Sequence, residues 1–163
     1  MKKKWIFMAL ALLLAGTVNR LRAQDDSMNV LEPVVIRTTT NVNAAVDKAF
    51  KQQFKDAKNP EWFRMNKNFL VTFINEDMRN NALFKKNGKL IYQIRFGYEQ
   101  NLPAEIRTKV QQAYGDYNIT RAVNVRENNR DIWVVNLEGL KKLLIVRVEE
   151  GELEEVQSYN KAG

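Results

Sequence analysis

The chain of 163 residues contains no cysteine and no histidine. Lack of cysteine excludes a disulfide framework, a thiol nucleophile and any Cys-ligated zinc or iron–sulfur site. Lack of histidine excludes an imidazole acid–base group, a His-based triad and a His metal ligand. A Gly-rich phosphate loop and a nucleophile elbow are missing too. Any enzyme built on this chain would have carboxylates, lysine or tyrosine alone. The remaining composition is that of an ordinary globular protein, with 45% hydrophobic and 28% charged residues.

Excess charge is also missing from the part that should fold. The formal net charge is +7, from 26 basic and 19 acidic residues. Lys2, Lys3, Lys4, Arg20 and Arg22 supply five of those positive charges, and residues 1–23 hold no acid. The rest carries 21 basic and 19 acidic residues, a net of +2. A nucleic-acid binder carries its basic excess on the folded domain. No nucleic-acid partner is therefore expected.

Residues 1–23 read as an export signal. Three lysines precede the uncharged run Trp5 to Val18, which is too short for a spanning helix of about 20 apolar residues. Ala23 stands before Gln24, the expected first residue after cleavage, and no cysteine follows to carry a lipid. The expectation is a periplasmic or secreted protein with no stable membrane insertion after cleavage. Residues 24–41 form an extended leader, because Pro33 and three consecutive threonines oppose a helix. Val34 to Arg37 could supply a short edge strand.

From Asn41 the apolar residues recur at helical steps: Val42, Val46, Ala49, Phe50 and Phe54. Thr40 or Asn41 is the expected cap and Asn59-Pro60 the stop. Strands are expected at 61–65, 69–75, 82–86 and 89–96, with turns at 66–68, 77–80 and Asn87-Gly88, a strong hairpin signal. The order then repeats. Ile106, Val110, Ala113 and Tyr114 line a second helix that opens at Pro103. Strands are expected at 117–126, 131–137, 142–149 and 153–159. Phe54 and Tyr114 are 60 residues apart, and Gly88 and Gly151 are 63 apart. This predicts two units, about 42–97 and 102–160, each a helix plus four strands. Both helices should lie on one face of an antiparallel sheet, with Val46, Phe50, Phe54, Ile106, Val110 and Tyr114 buried together.

Each unit has an aromatic-ended helix and a hairpin in which an apolar residue is followed, after three or four residues, by Gly-x-Leu: FKKNGKL at 84–90 and VRVEEGEL at 146–153. In these features the chain resembles the PepSY-like, β-lactamase-inhibitor-like family of exported Bacteroidetes proteins, over about residues 42–160. The resemblance implies an α+β fold of tandem helix-plus-sheet units whose other sheet face is open to a partner. It brings no catalytic residue and no cofactor.

The acidic run Glu149, Glu150, Glu152, Glu154 and Glu155 could offer a carboxylate pair, but its alternation fits a solvated edge strand better. Asn128, Asn129 and Asp131 could suggest calcium, yet one Asp without a glycine makes a plain turn. Trp62, Trp133, Phe69, Phe73 and Phe96 are expected in the core. The favoured reading is a non-catalytic binding or inhibitor-like module for a protein or peptide of the cell envelope. The alternative is a histidine- and cysteine-independent envelope enzyme using carboxylates. Side-chain alternation sets Leu90, Tyr92, Ile94 and Phe96 toward the helices, and Ile91, Gln93 and Arg95 toward the open face. Asn124, Arg126, Asn136 and Gln157 are its expected members in the second unit. The partner-binding candidates are thus Gln93, Arg95, Asn124, Arg126, Asn136 and Gln157. If the export-signal reading holds, intact-mass measurement of the exported protein should give a chain starting at Gln24. Full-length protein in the membrane fraction would contradict it.

Overall fold

The structure, a computed structural model, describes Thr40–Lys161. The expected export signal and all but the last two residues of the expected leader lie outside the described residues, as does the suggested strand at 34–37. Two helices, α1 (Ala44–Gln53) and α2 (Ala104–Ala113), are each followed by four antiparallel strands. These are β1 (Lys58–Met65), β2 (Asn68–Asn75), β3 (Met78–Lys85), β4 (Leu90–Gly97), β5 (Asn118–Glu127), β6 (Arg130–Glu138), β7 (Lys142–Glu149) and β8 (Glu152–Asn160). They form one open eight-stranded sheet in chain order.

Local chemistry explains most boundaries. Helix α1 starts one cap later than the sequence pattern places it. Asn43, not Thr40 or Asn41, accepts the Val46 N–H at 3.0 Å through its side chain. The Asn43 amide also donates to the Lys86 carbonyl at 2.9 Å, pinning the helix start to the β3–β4 hairpin. The helix stops at Gln53, well short of Pro60, with Phe54 as its C-cap. Tyr114 caps α2 in the same way: both aromatics donate their backbone N–H four residues back, to Phe50 and Val110. The 77–80 segment is not a turn beyond its first residue. Glu76 and Asp77 make the turn with positive φ, and Arg79 and Asn80 already belong to β3.

At the β3–β4 hairpin only Gly88 has positive φ, +84°. Lys85 and Lys89 bond across a three-residue loop, so this is not the two-residue turn expected of Asn87-Gly88. A Cβ on Gly88 would come within 2.7 Å of the Ala45 carbonyl oxygen, so glycine also permits the hairpin to touch α1.

Two separate cores lie on the helix side of the sheet. Val46, Phe50 and Phe54 of α1 pack on Phe69, Val71, Phe73, Ala82 and Phe84, with Trp62 at the margin. Val110 of α2, with Ile106 and Tyr114 partly buried, packs on Trp133, Val135, Leu137, Leu144, Val146 and Val148. The two helical stripes are therefore buried apart, not together. Phe50 is the hub of the first core, with ring centroids 5.6 Å from Phe54, 5.2 Å from Trp62 and 5.1 Å from Phe73. Phe50→Ala should cost about 3–5 kcal/mol in denaturant melts, the range for an aromatic lost from a packed core. A cost under about 1 kcal/mol would contradict this packing.

Candidate functional site

Which side chains are free to meet a partner depends on strand parity, and parity is reset by two irregularities. Phe84 pairs with Leu90, but Leu83 pairs with Tyr92, so β4 carries an extra residue there. Leu90 packs on the α1 core. Beyond the bulge the faces exchange: Gln93 lies opposite Ala82 and Arg95 opposite Asn80, on the helix side. Tyr92, Ile94 and Phe96 turn to the other face, reversing the expected assignment of β4. A second break, between Ile119 and Arg121, lets β5 present both Ile119 and Ala122 to the α2 core. Asn124 and Arg126 follow Ala122 on that side, opposite Trp133 and Asp131. Of the six candidates, then, Gln93, Arg95, Asn124 and Arg126 lie on the helix side, and Asn136 and Gln157 on the open face, opposite Ile145.

The four helix-side residues do come together, as a polar seam between the two cores. Gln93 Nε2 donates to Asn80 Oδ1 at 2.8 Å, and Asn80 Nδ2 donates to the Met78 carbonyl at 2.8 Å. Arg95 Nε donates to Asn124 Oδ1 at 3.0 Å, Arg95 Nη1 reaches Glu76 at 3.4 Å, and the guanidinium stands 5.6 Å from the Trp133 ring centroid. Asn124 Nδ2 donates to the Ile132 carbonyl and to Asp131, which also accepts from Arg126 Nε at 2.9 Å. Asn80, Gln93 and Asn124 are buried, and the Arg95 side chain is 13% exposed. Burial lowers the pKa of Arg95, Arg126 lowers it further, and Glu76 and Asp131 oppose them. Two cations are matched by two acids, Gln93 bonds Asn80, and Asn124 bridges Arg95 and Asp131. Every side chain of the seam has at least one hydrogen-bond partner, and the Arg126–Asp131 pair at its margin is half-exposed.

The opposite face is built differently. One row across it runs Ile74, Arg79, Phe96, Val123, Val134, Arg147 and Glu154; the next runs Thr72, Asn81, Ile94, Val125, Ile132, Glu149 and Glu152. Both helices pack on the other side. Leu83, Ile94, Val123, Ile132 and Val134 form its buried floor, with Tyr92, Phe96 and Val125 half-buried around it. Asn81 Oδ1 is buried in this apolar setting without a hydrogen-bond partner. One end carries a chain of ions: Arg130 to Glu149 at 2.5 Å, Glu149 to Arg147 at 3.7 Å, and Arg147 to Glu154 at 2.5 Å. The hydrogen bond to Glu149 raises the pKa of Arg130. Burial, then Glu127 across the ladder, raises that of the Tyr92 hydroxyl.

No group of three or more His, Cys, Asp or Glu among the described residues could hold a metal ion. Parity reasoning missed Tyr92, Phe96 and Asn81 as open-face residues. The signal that could have found Asn81 is its place inside a run that continues as a strand, not in a turn.

These features define an antiparallel α+β fold with two helix-and-four-strand units on one open sheet. Solved structures from Bacteroides share it. A BLIP-like protein from Bacteroides fragilis is similar with a TM-score of 0.59 at 16% identity, over 75% of this chain and 88% of that one. A DUF2874 family protein from Bacteroides ovatus gives 0.57 at 13% identity, over 75% and 89%. Another, from Bacteroides uniformis, gives 0.55 at 14%, over 73% and 89%. No protein-family model and no curated protein matches the chain. The structural neighbours agree with the β-lactamase-inhibitor-like resemblance seen in the two hairpins.

The seam should matter for stability. Arg95→Ala strips the partner from a buried amide and uncovers Trp133, so it should cost about 2–3 kcal/mol in denaturant melts. Arg95→Lys should recover only part of this, because an ammonium cannot span two acceptors and stack on the ring. Arg126→Ala, which breaks a half-exposed pair, should cost under about 1 kcal/mol.

Proposed function

We propose that the chain is an exported, non-catalytic binding module, inhibitor-like in its architecture, that holds a protein or peptide of the cell envelope on the open sheet face. The observation that carries this reading is a buried acceptor, Asn81 Oδ1, left unpaired within an apolar sheet face that neither helix covers. Leaving a buried polar group unbonded costs about 1–3 kcal/mol, and an outward turn of this half-buried side chain would let a docked partner's donor recover it. Tyr92 and Phe96 are the aromatic anchors of this surface, with Asn136 and Gln157 toward its rim; aromatics dominate the energetic centres of interfaces. The BLIP-like neighbour supports the inhibitor-type reading. A candidate periplasmic protein from Bacteroides eggerthii, with the same fold at 12% identity, supports the compartment. No helix among the described residues is long and apolar enough to cross a membrane.

The carboxylate enzyme has less in its favour. Glu149 and Glu154 each stand in an ion pair with arginine, Arg130 and Arg147 respectively, as the surface network of a strand edge would have them. Four of the six residues first considered for binding serve in this reading as the joint between the units.

The test is affinity capture from envelope extract with the wild-type chain, followed by titration of the recovered partner. Phe96→Ala should weaken binding about thirtyfold, the loss of one aromatic anchor, beyond any loss of its own packing, and Asn136→Arg should weaken it as well while melting close to wild type. Normal binding by both variants would place the partner elsewhere.

A further inference from the structure

The two edges of the sheet are not alike. Along β1 the free edge is interrupted by Pro60, by Asn59 with positive φ and by a register break between Lys58 and Glu61, and Thr40 N–H already bonds to the Trp62 carbonyl. Each of these blocks strand addition. The other edge, β8, is a nine-residue strand with no proline, bonded to β7 alone, and only Leu153 within it is not exposed. The apolar surface gathers there. Among the described residues the exposed large hydrophobics are Tyr98, Leu140, Leu143, Val156 and Tyr159, and all but Tyr98 lie on β7, β8 or the turn before β7. Leu143 and Tyr159 are cross-strand partners, and Leu140 is 97% exposed.

The strand is also unevenly guarded. Glu152, Glu154 and Glu155 occupy its first half, and Val156 to Asn160 carry no charge. We propose that β8 pairs antiparallel with β8 of a second copy of this chain, extending the sheet across a two-fold axis. The charge pattern selects this arrangement. A parallel pair would set glutamate beside glutamate. An antiparallel pair centred between Glu155 and Val156 sets Glu152 opposite Tyr159, Leu153 opposite Ser158 and Glu154 opposite Gln157. Face also matches within these pairs. Glu152, Glu154, Gln157 and Tyr159 lie opposite Glu149, Arg147, Ile145 and Leu143 on the open face, while Leu153 and Ser158 lie opposite Val148 and Leu144 of the α2 core. The extra residue at the β7–β8 register break, Val156, falls beside the axis. The interface is isologous and closes after two copies. It uses the edge of the sheet, so it stands independently of any partner on the open face.

Sedimentation velocity across micromolar to submillimolar concentrations reads the outcome. A reversible dimer is expected. Gln157→Glu sets like charges opposite at two symmetric positions and should weaken it about tenfold, whereas Gln157→Lys, facing Glu154, should tighten it. The chain has no native cysteine, so Val156→Cys reports the axis directly. Mild oxidation should link it into a covalent dimer, since cysteines within about 7 Å between Cα atoms can bridge. A chain that stays monomeric throughout would overturn the proposal. So would a dimer indifferent to both charges at 157 that fails to cross-link through position 156.

Discussion

The ladder between β4 and β5 is what makes one sheet of two units. Each helix has its own core, and the two cores share no residue. Six residue pairs, from Tyr92 opposite Glu127 to Gly97 opposite Ala122, carry the backbone bonding across this junction. On the helix side the ladder is faced by the seam of Asn80, Gln93, Arg95 and Asn124 instead of by aliphatic side chains. A polar joint of this kind tolerates few registers, because slipping either strand by one residue would expose these side chains and bury others without partners. The seam therefore specifies alignment where apolar packing would have been permissive.

Much of the architecture was legible in the residues. Helical spacing in α1 and α2, the turn-forming asparagines and glycines, and the offset of about 60 residues are local signals, and local signals survive folding. What failed was long-range or depended on counting. One extra residue in β4 exchanged the faces of Tyr92 and Gln93, so alternation counted from Leu90 gave the wrong side from there on. In β5 a further register break lies between Ile119 and Arg121, and Asn124 and Arg126 face the helix side, not the expected open face. Asn80 looked like a turn residue because asparagine favours turns when solvated; here its amide is consumed by backbone carbonyls and by Gln93. Residue type could locate the polar cluster, but only the register could say which side of the sheet it faces.

The two faces consequently divide the work. The helix side holds two apolar cores joined by a hydrogen-bonded polar seam. The other side keeps an apolar floor, half-buried aromatics and an unpaired amide oxygen. Because the seam fixes how β4 meets β5 beneath that floor, the backbone of the open face is already in place before anything docks. Under the proposed binding role, association would have mainly side-chain freedom to lose.

The strand order has a consequence for how the chain reaches this state. Every ladder joins strands that are neighbours in the sequence, and only β4 to β5 must wait for an intervening helix. Sheet proteins usually fold slowly because distant segments have to find each other. Here the closing loops are short within each unit, so the first can form around Phe50 without the second. The longest loop to close is the one that pairs β5 with β4 across the intervening helix and brings the seam together.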